Sequence, residues 1–302
     1  MNIILPEGGS IDFSKKEKGL SEIVLSTVIW GSIPVMAVWS YLPSPIFVFF
    51  RVIISTAVLY TILRKKLSLS YRYFSNPFVI ISGLLLAANW VFLFYAVSLI
   101  PISEAIIFYY FGPVIAILLS PLVKERINSF NLINVILSFA GILIMSAGTI
   151  YLNPLGLISA ILSGITYGLL SITSKHSSKY LSPINLVFFQ VLISSIVLFP
   201  FVLFIKYSFS VNDVFIAIFS SVVQTVLALF LWYDSMKNLN VQIVSIISYL
   251  DPVFAIIFAL AFLRQIPTIY TLIGGTLLIG SGLLTTIIAL KDKDREPDIN
   301  IE

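Results

Sequence analysis

Ten stretches of this chain, at 23–42, 46–63, 78–100, 105–123, 132–152, 154–173, 184–205, 214–233, 241–263 and 266–290, are apolar and long, and they decide which solvent the protein folds in. A helix rises about 1.5 Å per residue, so about 20 residues cross a hydrocarbon core of roughly 30 Å, where lipid satisfies no exposed peptide group. The expected fold class is therefore an all-α membrane protein with ten transmembrane helices. Composition agrees, with 59% hydrophobic residues, 11% charged residues and a mean hydropathy of +1.04. The segments between the stretches are short, none long enough for a soluble catalytic domain, so function is expected inside the membrane.

Basic residues set the orientation. Of the 18 Lys and Arg residues, Arg51 alone lies inside a span, and fifteen fall on the side shared by both termini: Lys15, Lys16, Lys18, Arg64, Lys65, Lys66, Arg72, Lys124, Arg126, Lys175, Lys179, Lys237, Lys291, Lys293 and Arg295. Only Lys206 and Arg264 lie opposite. Both termini are expected in the cytoplasm, with the chain as a multi-pass protein of the plasma (inner) membrane. The polar stretch before Ile23 carries Glu17, Lys18 and Glu22 without a small-residue cleavage site, and it is not expected to be removed. The net charge of +4 sits in loops rather than on a basic face, so no nucleic-acid partner is expected; the partners are the lipid bilayer and a small-molecule substrate. No cysteine is present, which excludes disulfides and Cys-based metal sites; neither a metal nor a cofactor is expected.

Aligning the chain with itself shows an internal repeat. FFRVIIS at 49–55 and FFQVLIS at 188–194 agree in five of seven positions at a spacing of 139, and GPVIAIL at 112–118 and DPVFAII at 251–257 stand at the same spacing. Fainter echoes are LPSP at 42–45 beside LSP at 181–183, and Trp30-Gly31 beside Tyr167-Gly168. The expected organisation is a tail at 1–22, a first five-helix repeat at 23–152, a second at 153–290 and a tail at 291–302. Five is odd, so the second copy enters the lipid from the opposite face. Inverted repeats of this kind commonly serve alternating access; the competing reading is a duplicated bundle without transport.

Proline-interrupted spans at matching positions point to a transport site. Pro113 in the fourth span and Pro252 in the ninth form such a pair, with Gly112 beside the first, and each removes an N–H and loosens the preceding turn. Arg51 and Asp251 are the residues within spans that carry charge at neutral pH, and such residues normally face a cavity. They are candidates for the substrate path, Arg51 for a carboxylate and Asp251 for an amine or a proton; the alternative is a structural lock. Asn89, Trp90, Gln190 and Gln224 lie at similar depth, Tyr109 one turn before Pro113, and Ser248 one turn before Asp251; with Trp30 and Tyr167 they complete the candidate path. Gln190 stands where the first copy has Arg51. Asp251 and Glu104 are the candidates for coupling to a proton, although Glu104 and Asp234 sit at span ends, where a structural role is the default. Gly164 and Gly168, and Gly274, Gly275, Gly280 and Gly282, suit close helix packing or a homodimer contact.

With these residues in view, the chain resembles the drug/metabolite transporter superfamily, in particular its ten-helix EamA-type members. The carriers of the resemblance are Trp30-Gly31-Ser32, FFR at 49–51, FLFYAV at 92–97, GPVIAILLSPLVKERI at 112–127 and LDPVFAIIFALAFLRQIPT at 250–268. The family usually places an acid before the second-half proline, and Asp251 fits; of its Gly-Glu-Arg/Lys step, Lys124-Glu125-Arg126 keeps part and Arg264-Gln265 loses the acid. The resemblance implies export or exchange of small metabolites such as amino acids through a central cavity. From the residues themselves the leading function is a gradient-driven secondary carrier of a small organic solute, not an enzyme, since no HExxH, GxSxG or P-loop pattern occurs. A facilitative uniporter or exchanger, and a non-transporting scaffold or receptor, are the alternatives.

Overall fold

The computed structural model describes residues 15–40, 42–64, 76–100, 105, 108–145, 153–264 and 266–291, and among them every regular element is a helix. In chain order these are α1 (Lys15–Gly31), α2 (Ile33–Trp39), α3 (Ser44–Leu63), α4 (Pro77–Leu99), α5 (Gly112–Leu118), α6 (Ser129–Met145), α7 (Pro154–Ser177), α8 (Pro183–Phe204), α9 (Val211–Asn238), α10 (Val241–Leu263) and α11 (Ile269–Lys291). Several starts follow one local rule. Asn76, Asn153 and Ser182 each accept a main-chain N–H from the first turn, and each is followed at once by a proline, whose missing N–H is harmless there. Ser210 and Asp213 form a reciprocal capping box at the start of α9.

Among the described residues six helices are long and apolar enough to cross a membrane: Ser44–Thr61 within α3, α4, α7, α8, α9 and α10. Ser129–Ile144 and Leu272–Thr285 form shorter apolar runs. The stretch read as one span at 23–42 is two helices, because the chain turns at Ser32, whose hydroxyl donates to the Ile29 carbonyl (2.6 Å) just before Pro34. The stretch at 105–123 is likewise divided: a turn at Tyr110–Phe111 precedes α5, and a 3-10 turn, Ser120–Val123, follows it. In α9 the segment Val222–Leu227 widens into a π-helix, and in α10 Ser248–Leu250 tightens into a 3-10 turn before Asp251-Pro252 restarts the helix.

The helices pack α4 on α7 and α8, α3 on α8 and α9, α1 on α9 and α10, and α6 on α11. Their inner faces form a core of Phe47, Val48, Val52, Leu86, Phe94, Phe189 and Trp232, while Phe204, Leu203, Ile196 and Ile133 point outward, as side chains facing lipid do. Small residues allow the closest approaches. A Cβ on Gly164 would stand 2.0 Å from the Phe108 carbonyl, and one on Gly168 would stand 2.5 Å from the Ile115 side chain, so this pair serves packing within the chain. Gly141 of α6 faces the Gly274 carbonyl of α11 in the same way, whereas Gly275 and Gly280 have open space beside them. Gly164→Val is expected to destabilise the protein by about 1–3 kcal/mol through overpacking against a main-chain carbonyl, read as a lower thermal unfolding midpoint in detergent; an unchanged midpoint would show that the backbone at Phe108 and Tyr109 is free to retreat.

Candidate functional site

A cavity of about 100 Å³, open in part to the outside, lies where the broken helices meet. It is lined by Trp30 and Ile33 from the α1–α2 break, Arg51 from α3, Leu86, Asn89, Trp90, Leu93 and Phe94 from α4, Tyr109 and Tyr110, Tyr167 and Leu170 from α7, Leu229 and Trp232 from α9, and Asp251, Pro252 and Ala255 from α10.

Arg51 is fully buried, which is costly for a charge in low dielectric unless other groups solvate it. Two kinds of partner do so. The guanidinium carbon stands 4.4 Å from the Trp90 ring centroid, with Phe47 and Phe94 farther off at 5.6 and 5.9 Å, so aromatic faces take part of the charge. The π-helical stretch of α9 supplies the rest. Thr225 turns its hydroxyl back to the Ser220 carbonyl five residues earlier (2.8 Å) and accepts from Arg51 Nε (3.2 Å); the Gln224 carbonyl accepts from Arg51 Nη2 (3.3 Å) and from Trp30 Nε1 (3.1 Å). Arg51 Nη1 is buried with no acceptor among the described residues. The indole N–H of Trp232, another cavity residue, is buried and unpartnered too. Two residues of the wall thus each hold a buried donor without a partner among the described residues.

The one carboxylate among the described cavity-lining residues is held in place. Tyr110 donates to Asp251 Oδ2 (2.7 Å), and Tyr249 donates to the Tyr110 carbonyl (2.7 Å). No ion pair joins Asp251 to Arg51; they face the same space separately. Between them run the rings of Trp30 and Trp232 (centroids 5.8 Å), Trp232 and Tyr167 (6.2 Å), and Tyr167 stacked on Tyr109 (5.1 Å, 11°).

Of the residues singled out in the sequence, Trp30, Arg51, Asn89, Trp90, Tyr109, Tyr167, Asp251 and Pro252 line this cavity. Asn89 also donates to the Ser163 carbonyl (2.8 Å), tying α4 to α7. Gln224, Gln190 and Ser248 stand behind the wall. Gln224 spends its amide on Ser32 Oγ (2.8 Å) and accepts from Ser220 (2.9 Å), bracing the α1–α2 break against α9. Gln190 bonds Ser174 (3.1 Å) and the Tyr233 hydroxyl, so the residue that replaces Arg51 in the second copy is satisfied. Ser248 donates to the Val244 carbonyl (2.8 Å), and Gly112 and Pro113 are buried where α5 meets Tyr167. Glu104 lies outside the described residues, as does Gln265. Sequence reading missed Tyr110 and Trp232. Tyr110 had a usable signal, since it stands 139 residues before Tyr249 in the repeat register; Trp232 had none.

A second polar cluster closes the bundle end formed by 120–131, 175–180 and 234–242. Lys175 pairs with Glu125 (3.4 Å) and donates to the Met236 and Leu239 carbonyls; Glu125 in turn accepts from the Val241 N–H (3.0 Å). Lys179 donates to the Val123 carbonyl (3.1 Å), and Gln242 to the Arg126 carbonyl (2.7 Å) and Ser120 (3.2 Å). Burial holds the Glu125 carboxyl above its ordinary range although Lys175 pulls it down.

These features define a multi-span helical membrane protein with a cavity walled by aromatic side chains and reached by one arginine and one aspartate. The sequence model of the EamA-like transporter family matches residues 17–147 and again 154–287, and the chain belongs to that family, within the drug/metabolite transporter superfamily: it is a transporter and not an enzyme. It is 28% identical over 294 residues to the transporter YxxF of Bacillus subtilis (strain 168), covering 94% of each chain. A transporter of Archaeoglobus fulgidus is 31% identical over 175 residues, covering 55% of this chain and 60% of its own length. A solved crystal structure superposes with a TM-score of 0.77 over 90% of this chain and 98% of its own at 18% identity, which speaks to the fold alone.

Proposed function

We propose that this protein is a secondary transporter or exporter of small organic metabolites, amino acids or related solutes, working by alternating access between two inverted five-helix repeats. The observation that carries the reading is the cavity itself: an aromatic-walled space with an unsatisfied Arg51 Nη1 on one side and a tyrosine-held Asp251 on the other. The free Arg51 and Trp232 donors suit a carboxylate, Asp251 an amine or a proton, and the rings an apolar body between them.

Matching positions support the inverted arrangement of ten spans. Ser55 and Ser194, 139 apart, donate to carbonyls of the opposite half, Ser221 (3.0 Å) and Gly83 (2.9 Å). Lys124 and Arg264, 140 apart, both end a helical stretch in the left-handed region, with φ of 66° and 55°. In this arrangement both termini are cytoplasmic, the Lys175 cluster closes the cytoplasmic end, and the open space beside Gly275 and Gly280 is where a second copy would pack.

Uptake or efflux of labelled amino acids and related metabolites in reconstituted vesicles, with and without a pH gradient, tests the function. Asp251→Asn is expected to lower flux about tenfold or more, the usual scale for losing a charge-assisted contact. Normal kinetics in both Asp251→Asn and Arg51→Gln would take the two residues out of the mechanism. A facilitator or exchanger would give flux indifferent to the pH gradient. A cysteine introduced at Leu170, in a chain with none, that reacts from one face under all conditions would count for a scaffold.

A further inference from the structure

We propose that Glu22 and Asp234 together form a proton-binding site that couples protonation to closure of the bundle end carrying Lys18, an inference that takes the transporter reading as its frame. Glu22 belongs to α1 and Asp234 to α9, so the pair straddles the two sequence halves; neither lines the cavity, and Asp234 stands two residues beyond the cavity residue Trp232. Glu22 is 8% exposed. One ammonium serves both acids: Lys18 Nζ lies 2.7 Å from Asp234 Oδ2 and 3.3 Å from Glu22 Oε1. The two carboxyl groups adjoin within hydrogen-bonding reach, yet Glu22 Oε2 is buried with no donor among the described residues. Two acceptors set side by side share one ammonium, and a proton on Glu22 supplies the missing donor between them. Lys18 is 56% exposed, which gives that proton a route to water.

The charged groups acting on Glu22 are Lys18 from its own helix and Asp234 from α9, with Lys237 acting on Asp234. Burial first, and Asp234 second, raise the Glu22 carboxyl to about 7, against the opposing pull of Lys18. The sign of the linkage follows. When α1 and α9 are together Glu22 holds its proton up to about pH 7, whereas at a water-filled open end it would release it near its ordinary value of about 4.5. Acidification from about 7 toward 4.5 therefore favours the closed end, and alkaline pH favours opening, because a charged Glu22 repels Asp234. A proton taken up on closing and released on opening is what coupling to a pH gradient needs, and it assigns the role to a residue other than Asp251 or Glu104.

Two measurements on the full chain in vesicles test this. The protonated-carboxyl infrared band should titrate near pH 7 in the wild type and lose that component in Glu22→Gln and in Asp234→Asn. Labelling of a cysteine at Leu170 from the Lys18 side, normalised to one at exposed Ile127, should rise up to about tenfold per pH unit as pH increases toward 7 and become flat in Glu22→Gln. No titrating band near pH 7, or identical pH dependence in wild type and both variants, overturns the proposal. An intact band and labelling response without flux of any tested metabolite would uphold the proton site and count against the transport reading instead.

Discussion

Replacing Arg51 by glutamine is expected to cut substrate flux by roughly 10- to 100-fold while the protein stays folded. A hydrogen bond to a charged group contributes about 1.5–3 kcal/mol, and Arg51, a cavity-lining residue, keeps one guanidinium nitrogen without a partner among the described residues. Glutamine is also what the second copy carries at the matching place, where Gln190 packs with both ends of its amide bonded, so the substitution suits the local shape. Arg51→Lys separates charge from geometry. It keeps the cation but loses the fork that reaches Thr225 and Gln224 together, and it loses the stack on Trp90. An intermediate loss of flux is expected. Should Arg51→Gln transport normally but melt at a lower temperature, Arg51 is a brace for the π-helical stretch and the carboxylate belongs elsewhere.

The largest expected effect on stability comes from Lys175→Met. Lys175 and Glu125 are 13% and 11% exposed in their side chains, so truncating the lysine leaves a carboxylate and two carbonyls buried without their cation. Removing one partner of a buried pair costs about 3–5 kcal/mol, far more than for a surface pair. Combining Lys175→Met with Glu125→Gln is expected to recover a good part of the loss, because no buried charge then remains unpaired. Thermal unfolding in detergent checks both. The single variant should also expose a cysteine at Leu170 from that end, since the pair bolts the 120–131 segment to α7 and to the turn between α9 and α10; equal stability of the single and double variants would mean that Glu125 finds water in this state.

The helical membrane class and the family were legible from the chain because they rest on run length and on motif order, both of which are local. So were the chemical extremes of the site. A charge inside an apolar run has few places to go, and Arg51 and Asp251 both reach the cavity for that reason. Polar neutral residues are different. Gln190, Gln224, Asn89 and Ser248 read alike in the chain, yet three of them are absorbed by partners behind the wall, such as Ser174 and Ser32, and Asn89 alone lines the cavity. Depth along a span is a property of one segment; the direction of a side chain depends on which helix lies beside it.

Sequence by itself determined that this chain is an apolar helical protein of a transporter family, with one cation and one acid set into its spans. Only the tertiary structure decided which donors stay unused, that a widened turn in α9 cradles Arg51, that Tyr110 holds Asp251, and that Glu22 meets Asp234 across 212 residues of chain. The physical reason is that hydrophobicity acts on each segment separately, whereas satisfying a buried polar atom requires a partner from another helix, and that pairing exists only once the helices have packed.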